Sequence, residues 1–227
     1  MALRFPLGTI LLVVAGVVVY FGLAHRVLDR MRLSDRAALG FIIAMILGSF
    51  VNVTLVSNPE LVVNLGGAVI PLIIAVYLIV TADESHEKTR AIIAAIVTGG
   101  AVYALSKVVN PEEQTMLVDP TYIYSITAGL VGYLAGRSRR SAFIAGTAGI
   151  VIADIALWVE LAIRRLPGRA WLGGAGAMDA TVIAGLLAVL LAEVVGETRE
   201  KLAGGSEAAR AEKSKRRRDD REDERDA

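Results

Sequence analysis

The chain has 227 residues, 55% of them hydrophobic, and a mean hydropathy of +0.57. Soluble domains rarely carry this apolar load, because they need a polar exterior, so the composition favours an integral membrane protein. The absence of cysteine excludes disulfides and thiolate metal sites, two histidines are too few for an imidazole-rich metal site, and a net charge of +1 gives no argument for a nucleic-acid partner.

Long apolar runs divide the chain into candidate membrane-spanning segments. A helix rises about 1.5 Å per residue, so about 20 apolar residues cross a bilayer core. In that core only a helix satisfies its own backbone hydrogen bonds within one segment. The sequence therefore predicts an all-α, polytopic bundle of about seven transmembrane helices in residues 1–197, with the lipid bilayer as its partner. The segments are residues 8–25, 38–57, 61–81, 91–108, 120–136, 141–163 and 175–196.

Lysine and arginine in the loops set the predicted orientation, because cytoplasmic loops are enriched in these residues. The first, third and fifth loops are basic, the second has no basic residue, and the sixth departs from the pattern with Arg164, Arg165 and Arg169. We therefore predict a multi-pass protein of the cell membrane with its N-terminus outside, and with the odd-numbered loops and the C-terminal tail in the cytoplasm. Trp158 and Trp171 would then lie at the outer interface. The basic residues of the odd loops are Arg26, Arg30, Arg32, Arg36, Lys88, Arg90, Arg137, Arg139 and Arg140.

Residues 198–227 form the predicted tail. The run from Lys213 to Asp226 is nearly all charged. Such a segment buries too little apolar area to offset the entropy lost on ordering, so a disordered cytoplasmic tail is predicted. Contact between its basic residues and anionic lipid is an alternative, against which the neighbouring acidic residues argue.

Asp154 is the first candidate for a functional residue within the membrane. A carboxylate at the bilayer centre costs about 2.5 kcal/mol or more, so a retained one is a functional candidate. Asp154 lies near the middle of the sixth segment, and Thr147 lies seven residues earlier on the same helix face. Gly146 and Gly149 are predicted to support this face, which we expect to point into the bundle. The alternative is a structural carboxyl that bonds to a neighbouring helix.

Asp179 is the second candidate, near the start of the seventh segment. Gly173, Gly174 and Gly176 precede it and favour backbone that bends or approaches another helix closely. Irregular backbone at membrane depth is tolerated where it is buried in protein or lines a wet cavity. The alternative is a carboxylate that complements the dipole at a helix N-terminus.

Two asparagines complete the predicted polar site in the outer half of the membrane. Asn52 lies in the second segment and Asn64 in the third. Gly66 and Gly67 follow Asn64 as supporting backbone. Pro71 is predicted to kink the third helix, because proline lacks an amide hydrogen and crowds the carbonyl of Gly67 four residues earlier.

Two glycine patterns predict how helices are related. The sequence Leu-Gly-Gly-Ala occurs at residues 65–68 and again at residues 172–175, which suggests a parallel duplicated hairpin, as in some transporters. Gly129, Gly132 and Gly136 share one face of the fifth segment and predict close helix packing.

Several of these motifs occur together in an order that is characteristic of one family. They are Asn52-Val53, Val63 to Ala68 with Ile70-Pro71, Gly146-Thr147-x-Gly149 with Ala153-Asp154, Gly173-Gly174-Ala175-Gly176-x-x-Asp179, and Gly185. In these motifs the chain resembles the archaeal and bacterial membrane family called domain of unknown function 1614, over most of residues 40–193. The resemblance implies several membrane helices around a shared polar core. It implies no mechanism, because the family has no established activity.

Three functions are compatible with this pattern. We predict transport of an ion, a proton or a small solute, with Asp154 as the residue that titrates or coordinates. A non-catalytic scaffold would use the polar residues as hydrogen bonds between helices. An intramembrane aspartyl protease would let Asp154 and Asp179 share a proton and activate water. Enzyme activity, cofactors, the solute and assembly into a homo-oligomer are left open.

Overall fold

The computed structural model describes residues 31–109, 120–176 and 179–202, together with residues 14, 17, 28 and 29. This part of the chain is mostly helical, as predicted, and also contains a small sheet. The first predicted segment, residues 8–25, lies outside the described residues apart from Val14 and Val17. The elements in chain order are α1 (Asp35–Gly48), β1 (Asn52–Ser57), β2 (Glu60–Asn64), one π-helical turn (Leu65–Val69), α2 (Ile70–Val80), α3 (Ser85–Ser106), α4 (Pro120–Gly136), α5 (Arg139–Ile163), β3 (Arg169–Leu172) and α6 (Ala180–Leu202).

The sheet replaces helix in the second and third predicted segments. β1 pairs antiparallel with β2, and β2 pairs parallel with β3. The prediction of two continuous helices over residues 38–57 and 61–81 is therefore wrong, since α1 ends at Gly48 and α2 begins at Ile70. Both strands contain β-branched residues and are joined by Asn58-Pro59, a turn sequence. Hydropathy alone does not distinguish a short apolar strand from part of a helix.

Pro71 lies in the first turn of α2, which continues directly from a π-helical turn, so the predicted kink stays a prediction. The irregular backbone is the π-helical turn that precedes α2, in which Ile70 N–H donates to the carbonyl of Leu65.

The helical bundle is organised around α5, which packs against both α3 and α4. Small residues make these contacts close. A Cβ built on Gly132 of α4 would lie 2.8 Å from the backbone nitrogen of Gly146, and one on Gly149 would lie 2.5 Å from Cγ2 of Thr98 in α3. The close packing predicted from the glycines of α4 is therefore confirmed.

The outward faces of the helices are strongly apolar. Large aliphatic side chains are exposed along α3 at Ile92, Ile93, Ile96 and Val97, and along α4 at Ile126, Leu130 and Leu134. Among the described helices, α3 and α5 are long and apolar enough to cross a membrane, as judged by length and composition. Only 33% of the apolar window of α3 is buried, whereas a core helix of a soluble protein would be mostly buried.

Loops one, three and five lie at the same end of the bundle, which we call the odd-loop end. Arg32, before α1, forms an ion pair with Asp83 in the turn between α2 and α3. Ser138, before α5, donates from Oγ to Oε1 of Glu87 at 2.8 Å. These contacts join the three loops.

The second and sixth loops meet at the opposite end of α5, which we call the even-loop end. Trp158 Nε1 donates to the carbonyl of Pro59 at 3.1 Å, and Arg169 pairs with Glu60 at 2.5 Å. Trp171 belongs to β3 at the same end, in agreement with its predicted grouping with Trp158. The sorting of the loops fits the predicted topology, and the end that faces the cytoplasm stays a prediction.

The chain divides into two compact units, Met1–Ala192 and Glu193–Ala227. The described part of the second unit is the last stretch of α6, which is helical to Leu202, beyond the predicted start of the tail. The rest of the predicted disordered tail lies outside the described residues.

Candidate polar site

Asn64, at the end of β2, is a buried amide whose donors are fully used by the protein itself. The residue is 1% exposed. Its Nδ2 donates to the carbonyl of Ser49 and to Oδ1 of Asn52, both at 2.8 Å. Its Oδ1 accepts the N–H of Gly67 at 2.8 Å, which caps the π-helical turn. Asn64 therefore ties the end of α1 to β1 and to the start of α2.

Asn52 reaches Asn64 because of the hairpin register. The two residues are direct cross-strand partners in the β1–β2 ladder. Asn52 itself is exposed, in contrast to its partner. The structure thus joins the two predicted asparagines, and it does so through a sheet that the sequence did not predict.

Four glycines meet beside this pair, and we call Gly66, Gly67, Gly173 and Gly176 the glycine junction. A Cβ on Gly67 would lie 2.2 Å from the carbonyl oxygen of Gly173 and 2.7 Å from that of Gly176. A Cβ on Gly66 would lie 2.1 Å from the carbonyl oxygen of Met45. Real side chains do not tolerate such distances, so the junction requires bare backbone.

Gly173 and Gly176 also need glycine for their conformation. Their φ angles are +69° and +60°, in the left-handed region that other residues rarely adopt. A Cβ on the neighbouring Gly174 would lie 2.7 Å from Cβ of Trp171. The three predicted glycines before Asp179 therefore shape a tight turn between β3 and α6.

The two Leu-Gly-Gly-Ala motifs are in direct contact at this junction. One follows β2 and the other extends from β3, and these neighbouring strands run parallel, with Val63 opposite Leu172. The similarity extends over strand, glycine turn and helix. It does not extend to a duplicated hairpin, because β2 follows a strand whereas β3 follows α5.

Asp179 caps α6. Its Oδ1 accepts the backbone N–H of Thr181 at 2.9 Å and the hydroxyl of Thr181 at 2.7 Å, and its Oδ2 accepts the N–H of Ala175 at 3.2 Å. The bond to the second helical residue is the usual N-cap pattern. The helix-terminus alternative for Asp179 therefore describes its contacts.

Asp154 lies on α5 near the start of α6, where it and Asp179 interact electrostatically as like charges. Ala153, beside it, packs in the same cluster as Ala180, the first residue of α6. Tyr124 of α4 also interacts electrostatically with Asp154. No hydrogen bond to Asp154 occurs within the part of the chain that the structure describes. Of the two carboxylates, Asp154 is the one without a structural bond there.

The predicted supporting residues of α5 bring this helix close to α3 and α6. A Cβ on Gly146 would lie 2.8 Å from the carbonyl oxygen of Ala184, so Gly146 brings α6 close. Gly149 does the same for α3. Thr147 is fully buried, and its hydroxyl has no partner among the described residues. These contacts fix α5 between α3 and α6.

Sequence reasoning missed three residues of this region. Ser49 ends α1, donates from Oγ to the carbonyl of Met45 at 2.6 Å, and packs against Gly66 and Gly176. Thr181 holds the Asp179 carboxylate, and its spacing of two residues after an aspartate is the one signal that was present. Tyr124 approaches Asp154 from a distant part of the chain and had no sequence signal.

The four predicted site residues group as a hydrogen-bonded pair, Asn52 with Asn64, and an electrostatically interacting pair, Asp154 with Asp179. The glycine junction links the pairs, because Gly67 contacts Gly176, and Gly176 accepts the N–H of Asp179 at 3.0 Å. The action of all four as one functional site stays a prediction.

One comparison with known proteins gives a match. The family model described as "Protein of unknown function (DUF1614)" matches residues 27–191. The matched region contains both pairs of polar residues and the glycine junction, and the match confirms the resemblance seen in the motifs. No curated protein and no solved structure matches the chain.

Proposed function

The chain belongs to the DUF1614 family of proteins of unknown function, and we propose that it is a multi-pass membrane protein that transports a proton or a small cation through a site centred on Asp154.

The membrane location is supported by the distribution of side chains. Large aliphatic residues are exposed along α3 and α4, whereas small or hydroxyl-bearing residues such as Thr98, Ser125 and Thr147 are completely buried. A soluble domain would hide its large apolar residues, while helices in lipid pack through small residues and expose large ones. Exposed apolar surface of this extent is stable in lipid and promotes aggregation in water.

The transport site is supported by the contrast between the two aspartates. Asp179 accepts three hydrogen bonds that fix the turn into α6. Asp154 lies near it with no hydrogen bond in the described part of the chain, so its oxygens are available to a ligand. A proton or cation bound at Asp154 relieves the repulsion between the two carboxylates. This contrast is the observation that carries the proposal.

The remaining predicted residues then have a positioning role. Asn64 and the glycine junction hold the turns that place Asp179, and Asp179 in turn interacts electrostatically with Asp154. Irregular backbone beside an intramembrane carboxylate is a common feature of ion sites in transporters.

The test is flux through the purified full chain in phosphatidylcholine vesicles that contain a pH-sensitive dye. With this dye an imposed pH gradient measures proton movement. In separate vesicles loaded with a sodium-sensitive dye, an inward sodium gradient at constant pH measures cation movement. Asp154→Asn keeps the size of the side chain and removes its charge. It should lower the flux of the transported ion at least about tenfold, because the carboxylate that binds the ion is lost.

Asp83→Asn is the matched control. Asp83 is an exposed aspartate whose ion pair with Arg32 lies at the odd-loop end, far along the chain from the site. The flux through Asp83→Asn should equal that through the unmodified protein. Equal flux for Asp154→Asn and the unmodified chain would refute the proposal.

A scaffold is the second candidate, and the saturated hydrogen bonds of Asn64 and Asp179 favour it. On this alternative, Asp154→Asn alters stability or assembly and vesicles with the unmodified protein show no flux. Aspartyl proteolysis has less support, since Asp179 is already committed to capping α6, whereas a catalytic pair directs both carboxylates at water.

A further inference from the structure

A recess of about 240 Å³ opens at the odd-loop end, away from the polar site. It lies where the first turns of α3 approach the last turn of α4. Its lining combines cationic and polar groups with apolar ones: His86, Thr89, Arg90, Ile93, Ala94 and Ala135.

Among the described residues, no acid pairs with the basic side of the recess. Arg90 Nη2 lies 3.3 Å from Nδ1 of His86, and within the described residues neither side chain forms an ion pair. Of the acids near the start of α3, Glu87 lies 3.8 Å from Arg140 and Asp83 pairs with Arg32, while Glu84 precedes α3 and has no ion pair within the described residues. An arginine fork beside an imidazole and a threonine hydroxyl has the donors that a phosphate group requires.

An apolar stripe continues from these donors along α3. Residues 86, 90, 93, 97 and 100 follow the spacing of one helix face. Ile93 and Val97 are 55% and 50% exposed, and Gly100 has no atom within 4 Å of the position of a Cβ, so the stripe is open. From Arg90 to Gly100 it runs about 15 Å, a length that covers much of one leaflet.

We propose that this recess binds an anionic phospholipid, with the headgroup phosphate at Arg90 and His86 and an acyl chain along Ile93 and Val97. The proposal rests on the membrane location proposed above and not on transport. The apolar stripe is the reason to commit to a lipid, because a free phosphate ion would use only the cationic end.

The test measures lipid binding to the purified full chain in a mild detergent, by native mass spectrometry during titration with dioleoyl phosphatidylglycerol or dioleoyl phosphatidylcholine. The unmodified chain should bind phosphatidylglycerol at least about tenfold more tightly than phosphatidylcholine. Arg90→Gln should remove most of that preference, since hydrogen bonds between charged groups contribute affinity on this scale. Ile93→Trp, which fills the recess without changing charge, should weaken both lipids.

Arg164→Gln is the matched control, because Arg164 is an exposed arginine at the even-loop end. It should leave binding unchanged. The proposal is overturned by equal retention of the two lipids, by an equal effect of Arg164→Gln and Arg90→Gln, or by inorganic phosphate binding as tightly as phosphatidylglycerol. Asp154→Asn should leave lipid binding intact, so failure of the transport proposal and failure of this one are distinguishable.

Discussion

Replacing Gly67 with alanine should destabilise the protein strongly, although it adds a single methyl group. The new Cβ would lie 2.2 Å from the carbonyl oxygen of Gly173 and 2.7 Å from that of Gly176. Both neighbours are backbone atoms in left-handed turns, so neither can rotate away as a side chain could. Overpacking of a tight contact costs about 1–3 kcal/mol, and with two backbone contacts we expect the free energy of unfolding to fall by about 3 kcal/mol or more.

Gly40→Ala provides the control for this experiment. Gly40 lies in α1 with no atom within 4 Å of the position of its Cβ. Alanine is favoured over glycine in a helix by about 0.5–1 kcal/mol, so this variant should be neutral or slightly more stable. Both variants replace glycine with alanine, and their free energies of unfolding should therefore differ by about 3–4 kcal/mol.

Unfolding by titration of the detergent-solubilised chain with dodecyl sulfate measures both variants, with fluorescence as the signal. Trp171 is a suitable reporter, since its side chain packs against Gly174 next to the junction. Equal stability of Gly67→Ala and Gly40→Ala would show that the two Leu-Gly-Gly-Ala motifs do not contact each other as described.

Three further outcomes follow from the hydrogen bonds of the site and of the even-loop end. Asn64→Ala should lower the free energy of unfolding by about 2 kcal/mol in the same titration, because it removes the hydrogen bonds of two backbone groups, the carbonyl of Ser49 and the N–H of Gly67. Asp179→Ala should lower it by about 0.5–2 kcal/mol through loss of a helix cap, and an unchanged midpoint would contradict the capping role. The hydrogen bond to Glu160 raises the pKa of Lys107 above its ordinary value of 10.5, so the pair stabilises the fold below that pH and the contribution is lost as pH rises through the raised pKa. A thermal midpoint that falls above about pH 10.5 in the unmodified chain should fall less in Lys107→Gln.

The helices of the bundle were predictable because their signals are local. α3, α4 and α5 coincide closely with apolar runs, and the start of α4 at Pro120 follows from the preference of proline for a first helical turn. Each of these features depends on one segment alone, because an apolar run of sufficient length predicts a helix that can cross a bilayer.

The sheet was not predictable by the same reasoning. Residues 52–57 and 60–64 have the hydropathy of a helix, and only their β-branched residues and the turn at Asn58-Pro59 favour strands. β3 has four residues and forms because β2 offers it an edge, which is a tertiary effect.

The candidate site was predictable in its residues and less so in its arrangement. Asp154 and Asp179 were identified because a charge is costly in lipid, a local argument. Their difference in role depends on Thr181 and on Ala175, which supply the hydrogen bonds that fix Asp179. The sequence predicted one polar site that contains both carboxylates, but not which of them the fold already uses.

The central claim is that Asp154 binds the transported ion, whereas Asp179 stabilises the fold by capping α6. Its most direct measurement compares Asp154→Asn with Asp179→Asn in vesicles reconstituted at equal protein density, recording initial flux together with the unfolding midpoint of each preparation. We expect Asp154→Asn to lose at least about nine-tenths of the flux while it unfolds at the midpoint of the unmodified chain, and Asp179→Asn to unfold earlier. Full flux in Asp154→Asn would contradict the claim, as would a loss of flux that its lowered stability explains completely.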